Sequence, residues 1–269
     1  MEKSIKFESQ SFPKRLKSML SVDSRRMLTQ PLFYIMIGIA FVMPILILVM
    51  TSMMNGTVSV DPVTGEETVM QGFTNVWQTI ATPSTESAGM GMDLVSMCNI
   101  NLIYFLVAVL VCLFVSDDFR SGYVKNLFTV RAKKDDYVAS KTIVLFIGGV
   151  SMIIAYFIGA MIGGGIVNLS FDLGTSGVSG LIMCMLSKIF LMAVFISIYL
   201  VVSIACKQRT WLSFICAFGS SMLMFAMIPM MTPLNSTIIN VIMTLAGGAM
   251  FAVGLGCVSN LILKKTSLI

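Results

Sequence analysis

Six long apolar runs constrain this chain more than any other feature, because each is near the roughly 20 residues that a helix needs to cross a bilayer. The runs cover about 32–54, 95–116, 142–169, 181–206, 211–231 and 237–263. Charged residues make up 12% of the chain and hydrophobic residues 57%, whereas a soluble protein carries roughly 25% charged residues. One soluble core of this length cannot bury so much apolar surface. We therefore expect an all-α polytopic membrane protein, since backbone groups in hydrocarbon must hydrogen-bond within their own helix.

Basic residues alternate between the loops that join these runs. Seventeen of the 18 Lys and Arg residues lie in 1–31, 117–141, 207–210 and the tail after residue 263. The other loops, at 55–94, 170–180 and 232–236, contain neither Lys nor Arg but carry six Asp and Glu residues. Cytoplasmic loops are enriched in basic residues. The pattern predicts six transmembrane helices with the N and C termini cytoplasmic.

Several functional classes are excluded or disfavoured by composition. The chain has no histidine, so histidine-based acid–base catalysis is absent. The net charge of +5 is explained by the basic loops, and we expect no nucleic-acid partner. No Asp or Glu lies within an apolar run, which disfavours an ion-coupled carrier or an intramembrane aspartyl protease.

The segment 1–31 is predicted to form an interfacial, or elbow, helix on the inner leaflet. Ser11 suits the N-cap position and Pro13 the first turn. Four apolar residues then fall on one helical face: Phe12, Leu16, Met19 and Leu20. Basic residues cover the remaining surface, which is typical of a helix lying in the headgroup region. The alternative is a plain basic tail that only sets orientation.

The loop 117–141 contains more large apolar residues than a simple connection needs. Tyr123, Val124, Leu127 and Phe128 fall on one side of a short helix. Such a helix can dock into a groove of another protein. The same pattern also fits a helix that rests on lipid, or a solvated charged segment, and the residues alone do not choose.

The family resemblance rests on the motifs of this loop. Asp118-Phe119-Arg120-Ser121-Gly122, then Lys125-Asn126-Leu127, then Ser140-Lys141 at the start of the next span resemble the permease subunits of ABC type-2 transporters. The elbow helix, the six spans and a large first outer loop match that layout over essentially the whole chain. More narrowly, the chain resembles bacterial permeases that export amphipathic peptides or confer immunity to them, such as lantibiotic-immunity permeases and phenol-soluble-modulin exporters.

The resemblance implies partners and residue roles. It implies a dimer of two permease protomers, identical or different, with two ATPase subunits beneath, and a coupling helix that sits in a cleft of the ATPase. The elbow helix would contact the ATPase as well. The coupling-helix role falls on Gly122, Tyr123, Val124, Lys125, Asn126, Leu127, Phe128 and Val130, and the flanking motif on Asp118, Arg120, Ser140 and Lys141.

A nucleotide-binding motif is missing from the sequence. No G-x-x-x-x-G-K-[ST] occurs, and Gly163-Gly164-Gly165 lies inside an apolar run without a following Lys-Ser or Lys-Thr. That motif supplies the backbone amides and the lysine that hold phosphates. We therefore expect a transport subunit that is not an enzyme and carries no cofactor, with ATP and magnesium bound by the partner ATPase.

Three residues are candidates for a transport pathway. Lys188 is the one charge inside an apolar run, where a lysine costs roughly 2.5–3.5 kcal/mol on insertion scales. It would contact an acidic group of the cargo, unless the span begins near Lys188 and 178–187 form an interfacial helix. Met224 and Met227 belong to a methionine-rich fifth run, which suits pliable apolar contacts but equally suits lipid.

The predicted organisation is an elbow helix at 1–31 and a six-span permease domain at 32–269, with an outer loop at 55–94 and a coupling hairpin at 117–141. The outer loop has an amphipathic middle, at Phe73, Val76, Trp77 and Ile80, which is either a gate lid or a surface segment. The predicted function is ATP-driven export of amphipathic or hydrophobic peptides across a bacterial plasma membrane. The alternatives are an ATP-independent channel or permease, or a member of the same family with lipid, polysaccharide or drug cargo.

Overall fold

A computed structural model describes residues 11–60, 67–69, 72–81, 99–129, 133–174, 177–225 and 227–265. Five helices within these residues are long and apolar enough to cross a membrane. We number all helices in chain order, and the five are α2 (Pro31–Met54), α3 (Leu102–Arg120), α5 (Lys134–Val167), α6 (Gly177–Cys206) and α9 (Ile238–Lys265). The expectation of a helical, multi-pass membrane protein is confirmed.

The fifth predicted span is not one continuous helix among the described residues. It is divided into α7 (Thr210–Phe225) and the short α8 (Ile228–Met231). Pro229 lies in the first turn of α8, where its missing N–H is tolerated. At 16 residues, α7 is about 24 Å long, less than the roughly 30 Å of a hydrocarbon core. Six crossings, and the side on which the termini lie, therefore remain predictions.

The centre of the bundle is built from α3, α5 and α6, whose facing side chains form one apolar core. Tyr104 of α3 stacks on Phe195 of α6 with ring centroids 4.5 Å apart. Helix α2 packs on the outside of α5, whereas α9 packs on α6 and α7 packs on α3 and α6. Exposed apolar side chains cover the outer faces of α2, α7 and α9, as expected where lipid is the solvent.

Glycines set the closest helix contact. A Cβ atom added at Gly159 of α5 would lie 2.1 Å from the backbone oxygen of Phe41 in α2, so only glycine fits there. One turn further along, a Cβ on Gly163 would lie 3.0 Å from the Cα of Ile45. The two glycines form a Gly-x-x-x-Gly pair that lets α2 and α5 approach closely.

The middle of the outer loop is folded onto the bundle. Its two short strands, β1 (Val58–Val60) and β2 (Glu67–Val69), form an antiparallel hairpin that the sequence did not predict. The segment 72–81, here called the cap, contains a 3₁₀ turn over Val76–Thr79 that is closed by a capping box between Asn75 and Gln78. The Trp77 indole N–H donates to the backbone oxygen of Phe171 at 3.0 Å.

The cap buries the apolar residues that the sequence singled out. Phe73, Val76, Trp77 and Ile80 are each at most 6% exposed. Trp77 stacks on Phe157 of α5 with ring centroids 6.1 Å apart. The cap is therefore packed on the helices and is not an exposed surface segment, and its role as a gate lid stays a prediction.

The elbow helix forms, as α1 (Phe12–Thr29), with Ser11 at the N-cap position. The Ser11 side chain makes no capping hydrogen bond. The stripe that faces the bundle is Met19, Asp23 and Met27, one turn apart each, and Leu20 packs beside it. This differs from the predicted face, because Leu16 is only half-buried and Phe12 is 48% exposed. Contact of Phe12 with lipid stays a prediction.

Candidate functional site

The predicted coupling hairpin lies at the end of the bundle that carries α1, here called the basic end. Helix α3 ends at Arg120, and α4 (Tyr123–Thr129) follows after a two-residue turn. Gly122 has a φ of 72° in that turn, a left-handed conformation that costs residues with a Cβ roughly 1–2 kcal/mol. The family-like Arg-Ser-Gly motif therefore reverses the chain between α3 and α4.

The apolar side of α4 packs against its own protein, which is none of the three surroundings that the sequence left open for it, and contact of α4 with an ATPase stays a prediction. Val124 is 1% exposed, and Leu127 and Phe128 pack on the central core. The Phe128 ring meets the Tyr137 ring of α5 edge-on, with centroids 5.9 Å apart. The apolar side chains of α4 thus complete the core at this end of the bundle. Val130 lies outside the described residues.

The opposite side of α4 is open to a partner. Lys125, Asn126 and Thr129 are exposed, as are Arg120 and Ser121 in the preceding turn. Any protein that grips this hairpin would therefore meet polar and basic groups, not the apolar face. This surface, formed by Lys125, Asn126 and Thr129, is called the hairpin tip below.

A buried group of charges lies directly behind the hairpin tip. We call it the ionic cluster, and its members are Asp23 and Arg26 of α1, Asp118 of α3, and Ser140 and Lys141 of α5. Lys141 Nζ lies 2.9 Å from Asp23 Oδ1 and 2.7 Å from Asp118 Oδ2. Arg26 Nη1 lies 2.7 Å from Asp118 Oδ1. Ser140 Oγ donates to Asp23 Oδ2 at 2.6 Å.

The cluster is balanced in charge, and of its four charged side chains only that of Arg26, at 24%, is exposed. Two carboxylates face two cations, and the side chains of Asp23, Asp118 and Lys141 are 0% exposed. Lys141 Nζ also lies 3.9 Å from the centroid of the Phe114 ring, a cation–π contact. Buried charges persist only when they are paired, and every charge of the cluster lies within 2.9 Å of an opposite charge.

Aromatic rings connect the cluster to α4. The Arg26 guanidinium lies 4.0 Å from the centroid of the Tyr123 ring, and the Tyr137 hydroxyl donates to Asp118 Oδ2 at 2.9 Å. Burial lowers the pKa of Arg26, but the charge of Asp118 and a hydrogen bond to it outweigh burial and leave the pKa raised. Burial, reinforced by Asp23, raises the pKa of Tyr123. Arg26 is therefore cationic and Tyr123 neutral at any physiological pH.

Two further contacts fasten the same end of the bundle. Arg15 Nε lies 2.7 Å from Asp136 Oδ2, and the hydrogen bond to Asp136 raises the pKa of Arg15. Lys134 Nζ donates to the backbone oxygen of Leu263 at 2.6 Å. Helices α1, α3, α4, α5 and the end of α9 are thus connected into one unit behind the hairpin tip.

The structure brings together three of the four flanking motif residues. Asp118, Ser140 and Lys141 meet in the ionic cluster, whereas Arg120 is exposed and takes part in none of the ion pairs of the described residues. Sequence reasoning missed Asp23 and Arg26. A usable signal was present, since Asp23 lies one turn from Met19 and from Met27 on the docked stripe.

Lys188 is held by neutral groups deep in the bundle. Its Nζ donates to Asn101 Oδ1 at 3.0 Å and to Thr232 Oγ1 at 2.9 Å, and the residue is 1% exposed. Among the described residues, it forms no ion pair with a carboxylate. Helix α6 is continuous from Gly177, so 178–187 do not form a separate helix. The point along α6 at which the membrane begins stays a prediction.

The two candidate methionines are exposed to different degrees. Met227, between α7 and α8, is 65% exposed, and Met224 packs partly against the core. Neither contacts Lys188 among the interactions described above. The structure therefore does not join the three candidate pathway residues into one site. No group of three or more His, Cys, Asp or Glu residues in the described ranges is placed to hold a metal ion.

The fold is that of a multi-pass membrane protein, and the hairpin tip and the ionic cluster both lie at the basic end of its helix bundle. A family model described as an ABC-2 family transporter protein matches residues 28–223, well over half of the chain. The chain belongs to this family, whose members are membrane transport subunits. Searches of curated proteins and of solved structures found no match.

Proposed function

We propose that this chain is the permease of an ATP-driven exporter, and that a separate ATPase grips the hairpin tip. The observation that carries this proposal is the arrangement at the basic end. A short helix presents Lys125, Asn126 and Thr129 outward, and its inner face is fixed to α3 and α5. Family membership implies an ATPase partner, and the sequence has no phosphate-binding loop of its own.

Force applied at the hairpin tip would reach the spans through the ionic cluster. Asp118 lies in the last turn of α3, and Lys141 lies where the membrane part of α5 begins. Lys141 Nζ and Asp118 Oδ2 are 2.7 Å apart. Packed cores and buried ion pairs move together under an applied force and do not deform continuously. Closure of two ATPase subunits around ATP and magnesium would thus tilt α3 and α5 together, and α1 would follow through Asp23.

The working assembly would contain two permease protomers and two ATPase subunits in a bacterial plasma membrane. The family likeness supports the dimer. The basic loops support a hairpin on the cytoplasmic side. In this assembly, the elbow helix α1 would lie along the inner leaflet and contact the ATPase as well.

The proposed cargo is an amphipathic or hydrophobic peptide. Methionines on α7 and α8 are exposed, with Met222, Met227 and Met230 each more than half accessible, and flexible thioether side chains adapt to varied apolar partners. Lys188 would contact an acidic group of such a peptide after Thr232 moves away, because the amine is buried at rest. Lipid, polysaccharide or drug cargo would be revealed by which compound stimulates ATP hydrolysis.

The test is a charge reversal at the hairpin tip, Lys125→Glu, in the co-expressed complex. Because Lys125 is exposed, we expect normal insertion and melting, but loss of ATPase co-purification or of transport-coupled hydrolysis. Lys264→Glu is the matched control, since it is an exposed cation at the end of α9. Leu127→Asp is a weaker test, because Leu127 is half-buried and its loss would also disturb folding. Wild-type coupling in Lys125→Glu would contradict the proposal, as would a permease that transports with no ATPase bound.

A further inference from the structure

A cavity at the basic end is used by neither the hairpin tip nor the ionic cluster. Its volume is about 290 Å³, and it opens between the α1–α2 junction, the last turns of α3 and the first residue of α7. That volume is near the lower limit of small-ligand pockets, roughly 300 Å³. Leu32 and Leu113 form apolar parts of the lining, and Thr210 lies at the α7 side.

The polar part of the lining carries one charge of each sign. Asp117 and Arg120 both line the cavity, and both are exposed. Neither takes part in any ion pair among the described residues. The nearby charges of Asp118 and Arg26 neutralise each other within the ionic cluster. Two opposite charges that form no ion pair with other described residues suit a zwitterion better than they suit an anion or a cation.

A buried hydroxyl supplies an independent sign of a ligand. Ser116 lines the cavity and is 1% exposed, yet its Oγ has no hydrogen-bond partner among the described residues. Buried hydroxyls are nearly always hydrogen-bonded, and serine in a helix usually bonds the carbonyl one turn back. Ser116 lies next to Asp117 and one helical turn from Arg120, and all three residues line the cavity.

We propose that this cavity binds the headgroup of a zwitterionic phospholipid that bears a phosphate and a primary ammonium, as in phosphatidylethanolamine. Arg120 donates to the phosphate oxygens, Asp117 accepts from the ammonium, and Ser116 Oγ completes the set. The acyl chains leave along the exposed apolar faces of α2 and α7. Beside the cavity, Trp211 is 83% exposed, and exposed tryptophan is typical of the membrane–water interface.

Competing headgroups satisfy only part of this set. A phosphatidylglycerol headgroup offers the phosphate but no cation for Asp117, so its net charge is unmatched. A choline headgroup has no N–H to donate to Asp117. Soluble phosphoethanolamine has the same polar chemistry as the lipid but lacks the chains that α2 and α7 would hold.

The test measures which lipid the purified permease retains. The protein is exchanged into equimolar phosphatidylethanolamine, phosphatidylcholine and phosphatidylglycerol, and the bound lipids are counted by native mass spectrometry. We expect phosphatidylethanolamine to be enriched. Arg120→Gln and Asp117→Asn should each reduce that enrichment by about fivefold or more, the loss of one charge-assisted hydrogen bond, and Ser116→Ala by less. Lys125→Gln and Asp135→Asn are matched controls, because they remove one exposed charge of each sign outside the cavity.

Each outcome decides the proposal. Unchanged enrichment in Arg120→Gln and Asp117→Asn would overturn it, as would equal retention of phosphatidylglycerol. A second measurement adds soluble phosphoethanolamine: if it displaces the lipid at equal concentration, the site serves a small soluble zwitterion and the lipid assignment is wrong. The ATPase takes no part in either measurement, so the result is separate from that of the proposed function.

Discussion

Lys141→Met is the perturbation that most directly probes the ionic cluster. Methionine has a similar length to lysine but no charge, so the change removes one cation from between Asp23 and Asp118, at 2.9 and 2.7 Å. Arg26 still pairs with Asp118, but Asp23 keeps only the hydroxyl of Ser140. A buried carboxylate is then left without a cation.

The magnitude follows from the burial of these groups. Breaking a buried ion pair by removing one partner costs about 3–5 kcal/mol, because the remaining charge stays desolvated. With about 2–4 °C per kcal/mol for a chain of this size, the melting temperature of the purified permease should fall by about 6–20 °C. Lys125→Met removes an exposed lysine of the same type from α4 and should change melting by no more than about 2 °C.

A second substitution identifies the cause. Asp23→Asn in the Lys141→Met background removes the uncompensated charge while keeping an acceptor for Ser140. The double variant should melt well above Lys141→Met alone. With Asp23→Asn measured by itself as well, the four proteins form a cycle that gives the coupling free energy of the pair. If Lys141→Met melts like Lys125→Met, or if Asp23→Asn lowers stability further in that background, the reasoning about a charge-balanced cluster is refuted.

Three more variants test other parts of the account. Gly159→Ala should lower the melting temperature by several degrees, because its Cβ would lie 2.1 Å from a backbone oxygen of α2, whereas Gly165→Ala meets open space and should be neutral or slightly stabilising. Trp77→Ala removes the centre of the cap, at a cost of about 3–5 kcal/mol. In a protein whose sole cysteine is Cys184, Trp77→Ala should raise labelling of that thiol by a membrane-impermeant reagent from near zero, because the thiol is buried in the same cluster as Trp77. Unchanged labelling would show that the cap is not a lid. Lys188→Met should melt no more than about 2 °C below wild type, since two lost hydrogen bonds at about 0.5–1.5 kcal/mol each are offset by about 2.5–3.5 kcal/mol from removing a buried charge. Transport should fall, and normal transport would remove Lys188 from the pathway.

The membrane helices were predictable because lipid leaves the backbone few choices. Where an apolar run was uninterrupted, as at 181–206, the structure has a helix over nearly the same residues, Gly177–Cys206. The fifth run differed, because hydropathy alone does not register that Pro229 restarts the helix. Helix α5 begins at Lys134, before its predicted start, since its first two turns are polar and carry cluster contacts instead of facing lipid.

The candidate site was only half predictable, for reasons of long-range pairing. The short helix after Gly122 could be found from its apolar face, but that face looks the same whether it packs on α3 and α5 or on a partner. Asp23 was missed because an acidic residue in a basic helix normally faces water. Its partners, Ser140 and Lys141, are more than a hundred residues away, and no local pattern records such a contact.

The central claim is that a separate ATPase grips the outward side of α4, and cross-linking at Asn126 tests it most directly. Asn126 is exposed beside Lys125, so a photoreactive side chain placed there should not disturb the fold. In cells that produce the whole transporter, we expect a cross-link to a nucleotide-binding protein whose yield changes with ATP. Cross-linking only to lipid, or labelling of this position from outside intact cells, would contradict the account.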